Sequence, residues 1–482
     1  MLDKRQFYIN GQWVDPSTKN DLDVINPSDE TVCAVVSLGS QADTDAAVAA
    51  ARAALPSWSI STKADRIALL ERLYDIYERR MDDMAEAISM EMGAPIDFSK
   101  ASQATSGTSA IKEFTRQLKK FEFEEQLDDS DDRLLYEPKG VCALITPWNW
   151  PISQVALKVI PAIAAGCTMV LKPSELAPLD SMIFAEMLDE AGCPAGVFNL
   201  VNGDGAGVGS QLTSHPDIDM ISFTGSTEVG RLFLEFAGQS NLKKIILECG
   251  GKNPAVVLSD ANNLDGVAEH VVFAALWNMG QNCTANSRLI VHKSLKDSLL
   301  KKVREKMKDW HTGDPLYPDN QLGAIISKEQ YDKILGYIEV AKSEGAELIE
   351  GGNAINLGDG LFIEPTLFTG VSAEMIIAKE EVFGPVFVMM TVDSDEEAIK
   401  LANDTCYGLQ ASLFTSSVTK AHKYGRALQA GTVSVNCYGE GDISTPFGGY
   451  KLSGFGGRDN SLMAHDQYTE TKTLWIDISE DI

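Results

Sequence analysis

A thiol, a carboxylate and a carboxamide stand where side chains can do chemistry. Cys283 lies in Gly280-Gln281-Asn282-Cys283-Thr284-Ala285-Asn286-Ser287-Arg288, just ahead of an apolar run. A thiol in a loop beside a strand can be a nucleophile, although a lone cysteine is more often structural. Glu248 closes the apolar run KIILE and is followed by Cys249-Gly250-Gly251-Lys252. A carboxylate ending an apolar strand is costly unless paired, hydrated or functional. Asn149 sits in Pro147-Trp148-Asn149-Trp150-Pro151, where two prolines fix the backbone. A held carboxamide N–H can stabilise an oxyanion; the plain alternative is a turn residue.

Three further segments suit an anionic or hydroxylated ligand. Lys172-Pro173-Ser174-Glu175 places an ammonium and a carboxylate at one strand end, able to bind ribose hydroxyls or to form an ordinary surface pair. The run NGDGAGVG carries Gly203, Gly205, Gly207 and Gly209, out of register with the dinucleotide fingerprint GxGxxG. Thr224-Gly225-Ser226-Thr227-Glu228-Val229-Gly230-Arg231 has a strand before it and a helix start after it, an arrangement whose backbone N–H groups bind anions. The spacing Gly225 to Gly230 mimics a P-loop, but Arg231 and Leu232 replace the residues that hold phosphate and magnesium, which disfavours NTP hydrolysis.

The elements that must position these residues follow from hydrophobic patterning. After Gly140, VCALIT, TMVL, VFNLV, DMISF and KIILE alternate with helical stretches, predicting βαβ units on a parallel sheet covered on both faces. Ligands of such sheets lie outside the carboxyl ends of the strands, where the segments above begin. A second βα series follows Gly250 with PAVVLSD and RLIVH. Earlier, the apolar spacing from Lys63 to Glu91 predicts a helix stopped by Gly93 and Pro95, and an Ala-rich run predicts another over Asp43 to Leu55. FEFEEQL and RLLYE face each other across an acidic turn, predicting a protruding hairpin open to a partner sheet or simply solvated.

Composition narrows the classes. At about 150 residues per domain, 482 residues suggest roughly three domains. The charge balance, 41 − 69 = −28, argues against nucleic acid and anionic membranes as partners. The sequence predicts no membrane span or secretory signal, which favours the cytoplasm. Eight cysteines without CxxC or Cys/His spacing argue against a disulfide framework and a bound metal.

Taken together, PWNWP at 147, LKPSE at 171, FTGSTEVGR at 223, LECGGKNP at 247, GQNCTANSR at 280, EEVFGPV at 380 and PFGGYKLSGFGGR at 446 resemble the aldehyde dehydrogenase superfamily over nearly the whole chain. The resemblance implies an α/β fold of three parts: a Rossmann-type cofactor domain (1–119 and 139–249), an α/β catalytic domain (250–457) and a small β oligomerisation domain (120–138 and 458–482). It implies Cys283 as the nucleophile, Asn149 with the Cys283 N–H as oxyanion donors, and Glu248 as the base that hydrolyses a thioester. It places Lys172 and Glu175 on the adenosine ribose, Trp148, Gly225 and Ser226 near the pyrophosphate with Gly205 close by, Glu381 on the nicotinamide ribose and Phe383 near the ring. Glu175 favours NAD over NADP, because a carboxylate repels a 2′-phosphate.

Glu248 implies a free acid as product, since the coenzyme A-acylating branch typically lacks it. Cys249 departs from the usual Leu, either as packing or as a thiol able to trap oxidised Cys283. The segment from Ser434 to Ile443 resembles the branch acting on γ-glutamyl-γ-aminobutyraldehyde and related ω-amino aldehydes. There Trp150, Glu440 and Asp442 would stand at the substrate entrance, the two acids either drawing a cationic tail or forming a solvated loop. General aliphatic or aromatic aldehydes are the alternative substrates. The resemblance also implies a homodimer or homotetramer. A cysteine hydrolase is the alternative from another class, weakened because all six histidines lie outside these motifs.

Overall fold

The five apolar runs after Gly140 become parallel strands, Val141–Ile145, Thr168–Lys172, Phe198–Leu200, Met220–Thr224 and Lys244–Glu248, almost entirely buried. Their spatial order is Lys244–Glu248, Met220–Thr224, Val141–Ile145, Thr168–Lys172, Phe198–Leu200. From Val141–Ile145 the chain builds outward on one side, then returns to the other at Met220–Thr224. That reversal opens a crevice at the carboxyl ends of the two strands, where Trp148 to Trp150 and Gly225 to Ser226 follow. The computed structural model describes residues 1–127, 132–439 and 441–477.

The sequence did not foretell the antiparallel additions to this sheet. Phe7–Ile9 and Gln12–Val14 extend one edge through Tyr8 opposite Leu200. At the other edge Gly454–Phe455 pairs with Leu247 and Glu248. By hydrogen bonding, residues 454–455 therefore belong to the first sheet, inside the stretch that the sequence assigned to the catalytic part. A separate N-terminal sheet of Leu2–Lys4, Thr31–Ser37 and Asp21–Asn26 also went unforeseen.

The second series forms a seven-stranded sheet ordered Glu347–Glu350, Thr366–Thr369, Val386–Val392, Arg288–His292, Pro254–Val257, Gln410–Phe414, Thr432–Val435. Only its first strand runs antiparallel to its neighbour. Cys283 precedes Arg288–His292, at the amino end of a central strand.

The helix expected from Lys63 to Glu91 is two helices, Lys63–Arg79 and Met81–Met92, broken where Arg80 takes φ −111° and ψ 17°. The apolar stripe runs on through the break, so spacing alone could not reveal it. Gly93 ends the second helix in the left-handed region, φ 76°, as expected. The Ala-rich helix spans Gln41–Trp58, beyond the expected bounds at both ends; a Ser40/Asp43 capping box sets its earlier start.

Glu124–Gln126 and Arg133–Pro138 pair antiparallel, and Thr469–Leu474 adds a third strand against Arg133–Pro138. The acidic turn at 128–131 lies outside the described residues. Beyond the third strand, Trp475 is 83% exposed.

Candidate active site

The Cys283 loop begins with a backbone that few residues adopt: Asn278 and Met279 have φ 56° and 57°, followed by Gly280 at 66°. Asparagine tolerates this region better than most side chains. The turn carries the chain from helix Leu264–Leu276 into the nucleophile loop. Cys283 itself is partly exposed. Its carbonyl accepts a hydrogen bond from Asn253 Nδ2 at 2.8 Å. A Cβ on Gly251 would lie 2.4 Å from that same carbonyl, so the segment after Glu248 abuts the nucleophile loop and tolerates only glycine there.

The Asn149 carboxamide donates to the Gln281 carbonyl at 3.0 Å, two residues before Cys283. A carboxamide has two N–H bonds, so one remains for an oxyanion. On the other flank, Trp150 Nε1 donates to Asn282 Oδ1 at 3.3 Å. Tyr438 reaches both neighbours of the nucleophile, its hydroxyl bonding Asn282 Nδ2 at 3.0 Å and Thr284 Oγ1 at 2.9 Å.

Glu248 is buried, with the Gly449 backbone as the one group hydrogen-bonded to its carboxylate among the described residues. Desolvation pushes its pKa well above the usual carboxylate range, and the charge of Asp459 pushes the same way, against Lys158 and Arg458. Lys158 and Asp459 form a fully buried pair at 3.4 Å. Gln467 Nε2 holds the other Asp459 oxygen at 2.9 Å. A buried carboxyl that holds its proton more tightly than usual is suited to exchanging one with water.

The structure gathers most of the expected cofactor residues along the switch-point crevice. Lys172 is buried, donating to the carbonyls of Pro173 at 2.8 Å and Gly203 at 2.5 Å and to Glu175 Oε2 at 3.2 Å. Desolvation lowers the Lys172 pKa, with Glu175 opposing. Gly205, exposed, opens a π-helical turn, Gly205–Gly209, capped by Asp204. Ser226 caps helix Thr227–Gln239, its Oγ accepting from Val229 N at 3.2 Å. The Gly225 N–H is spent on the Glu248 carbonyl at 3.0 Å, so the first-turn amides of Thr227 and Glu228 are the donors left for an anion.

From the second sheet, Glu381 accepts from Gly251 N at 2.9 Å. Desolvation pushes its pKa up to about 7, opposed by that hydrogen bond and by Lys252. Phe383, at φ 57°, meets Trp148 edge to face with centroids 5.2 Å apart. Gln330 holds its backbone through the carbonyls of Val382 and Phe383. A buried ammonium beside a partly exposed carboxylate, a helix start and a facing carboxylate fit a dinucleotide with free ribose hydroxyls.

Around Trp150 lies a partly exposed aromatic cluster. Its ring lies 4.6 Å from Trp277 and 5.7 Å from Phe98, while Phe273 reaches both Trp277 and Tyr438. Glu440 lies outside the described residues. Asp442 is exposed, and its carboxylate caps its own turn by accepting the Ser444 hydroxyl and the Ser444 N–H, the latter at 2.7 Å. These bonds, with Arg116 adding to them, hold its pKa low. Both bonds fall on one oxygen, Oδ1, of the carboxylate expected to draw a cationic tail. Cys249 is buried with its sulfur against Gly230 of the cofactor helix. Burial and then Glu248 push its pKa up to about 12, which favours the packing reading over a reactive thiol.

Sequence reasoning missed Gln103, Lys158, Asn253, Asn278, Tyr438 and Asp459. Lys158, the one charged residue of helix Pro151–Ala165, was a usable signal. Gln103, in a polar helical stretch, carried none. Four of the six histidines are engaged elsewhere: His215 pairs with Asp45, His270 stacks on Phe414, His292 bonds Ser294, and His465 is enclosed by Phe114 and Phe121. None of these four contacts involves Cys283, which disfavours them as the base of a cysteine-histidine hydrolase.

Residues 13–474 match the profile described as the aldehyde dehydrogenase family. The chain is 44% identical over 477 residues to an aminoacetaldehyde dehydrogenase of Pseudomonas aeruginosa, covering 98% of this chain and 95% of that protein. Among solved structures, a γ-glutamyl-γ-aminobutyraldehyde dehydrogenase from Burkholderia cenocepacia J2315 is 40% identical, with a TM-score of 0.95 over 98% of this chain and 96% of that one. An indole-3-acetaldehyde dehydrogenase of P. syringae, solved with NAD+, is also 40% identical, with a TM-score of 0.96 over 99% and 97% of the two chains. With the nucleophile loop, the switch-point crevice and the buried carboxyl all in place, the chain belongs to the aldehyde dehydrogenase family.

Proposed function

We propose that this protein oxidises an aldehyde to the free carboxylic acid with NAD, through a covalent adduct on Cys283, and that its substrates carry an amino or amide group at the far end. The observation that carries the reaction is the Asn149 carboxamide tied to the main chain two residues before Cys283, with one N–H to spare. The Cys283 thiolate adds to the carbonyl carbon, forming a C–S bond. The negative oxygen is held by Asn149 and the Cys283 N–H. Lys172, Glu175, the helix start at Ser226 and Glu381 would hold NAD, which would accept the hydride that leaves the adduct carbon as its C=O re-forms. The carbon left on sulfur is a thioester. Glu248 takes a proton from water, whose oxygen attacks that carbon; the C–S bond breaks, the acid leaves and the thiolate is restored.

The dehydrogenases solved with NAD+ and the Glu175 carboxylate support NAD over NADP. The names of the aminoacetaldehyde and γ-glutamyl-γ-aminobutyraldehyde relatives support an amino or γ-glutamylated substrate. So does the aromatic cluster beside Trp150, since ring faces attract an ammonium by roughly 0.5–2 kcal/mol. The division into cofactor, catalytic and oligomerisation parts is proposed with it, the last built on the three-stranded sheet. The exposed strand Thr469–Leu474 and Trp475 support a homodimer or homotetramer through that sheet. The eight free thiols suit a reducing cytoplasm. No helix among the described residues is long and apolar enough to cross a membrane.

The test is NADH production across aliphatic, aromatic, ω-amino and γ-glutamylated aldehydes, beside a Cys283→Ala variant. Loss of turnover in the variant and a kcat/KM highest for amino or γ-glutamylated aldehydes are expected. Turnover retained without the thiol overturns the mechanism, and a preference for plain aliphatic aldehydes overturns the substrate class.

A further inference from the structure

We infer that Gln103 and Asn278 are positioning residues that clamp the oxyanion donor Asn149 against the nucleophile loop. The inference rests on the Cys283 and Asn149 chemistry proposed above. Three chain segments distant in sequence meet at these two side chains. Gln103 is fully buried and comes from the π-helical turn Ser99–Ala104, a kind of wide turn frequent at functional sites. Its Nε2 donates to the Asn149 carbonyl at 3.0 Å and to Asn278 Oδ1 at 3.0 Å. Asn278 Nδ2 in turn donates to the Asn149 carbonyl at 2.8 Å and to the Gln281 carbonyl at 3.0 Å.

The bonds close on themselves. The Asn149 carbonyl receives N–H groups from Gln103 and Asn278, while the Gln281 carbonyl receives them from Asn149 and Asn278. The main chain at Asn149 and the main chain before Cys283 are thus joined through carboxamides, the only uncharged side chains with both a carbonyl acceptor and an NH2 donor. Asn278 pairs this role with its left-handed backbone, so the strained turn and the clamp are one device. An oxyanion donor works only when held at the position where charge develops, and a displacement of about 1 Å costs on the order of a hundredfold in rate.

The experiment compares Gln103→Met, which keeps the length but removes the amide, and Asn278→Gly, which keeps the left-handed backbone but removes the amide. Three rates are measured: aldehyde turnover, acylation of Cys283 by an activated aryl ester, and alkylation of Cys283 by iodoacetamide. Acylation builds an oxyanion, whereas alkylation does not. Each variant is expected to lose at least about tenfold in kcat and in ester acylation, with KM and alkylation within about twofold of the parent. Adding Gln103→Met to Asn149→Ala is expected to cost nothing further, because the clamp acts through Asn149. Parent-like acylation, alkylation falling in step with acylation, or additive losses in the double variant each overturn the clamp. Retained turnover in Cys283→Ala overturns the underlying mechanism instead, so the two failures are distinguishable.

Discussion

Lys158 Nζ and Asp459 Oδ2 lie 3.4 Å apart, fully buried, and their opposite charges act on Glu248 in opposite directions. The pair comes from the helix after strand Val141–Ile145 and from a segment near the C-terminus, and it adds to desolvation in setting when the base is charged. Desolvation and Asp459 raise the Glu248 pKa, so the active carboxylate is gained as pH rises. Asp459→Asn removes one raising influence and is expected to move the acid limb of the kcat–pH profile to lower pH. Lys158→Met is expected to move it to higher pH. Breaking a buried pair costs about 3–5 kcal/mol, so both variants will be less stable. Only electrostatic coupling shifts their pH limbs in opposite directions.

Glu248→Gln separates the two halves of the reaction. With Glu248 acting in hydrolysis, rapid mixing should give a burst of NADH approaching one per site, followed by turnover slowed by about 10²–10⁴. Loss of the burst together with turnover would assign Glu248 to activation of the thiol.

Glu175 is held by Lys172 at 3.2 Å and remains partly exposed. Glu175→Gln removes the charge that repels a 2′-phosphate while keeping an acceptor for a ribose hydroxyl. The ratio of kcat/KM for NADP to that for NAD should rise by about tenfold, equivalent to about 1.4 kcal/mol. An unchanged ratio places cofactor discrimination elsewhere.

Away from the reaction centre, Asp180 is buried beside Glu91, whose carboxylate accepts the N–H groups of Leu179 at 2.7 Å and Asp180 at 3.0 Å. Desolvation pushes the Asp180 pKa up to about 7. In the unfolded chain an Asp titrates near about 3.9. Its contribution to stability is therefore full below that value and is lost as pH rises through about 7. Asp180→Asn removes the titration, by at most about 1.4 kcal/mol for each pH unit in the window. The Tm difference, variant minus parent, should be more positive at pH 8 than at pH 5. A difference independent of pH would show that Asp180 does not titrate on unfolding.

The elements and the reactive residue types were legible in the sequence because their signals are local. Continuous apolar runs mark strands covered on both faces; Asn149, Lys172, Glu175, Gly225 and Ser226 lie at or after strand ends, whereas Cys283, Glu381 and Phe383 lie just ahead of strands. Cys283, Asn149 and Glu248 could be named this way with the aid of the family resemblance. The break at Arg80 could not, since the apolar stripe continues through a change in one residue's φ and ψ. Nor could the approach of Trp148 to Phe383, the pairing of Glu248 with Gly454, or the capping of its own turn by Asp442. Gln103 marks the limit most clearly: its role depends on two acceptors supplied by segments distant in the chain. Periodicity and caps act over a few residues, whereas packing decides which strand ends become neighbours and which buried amides find partners.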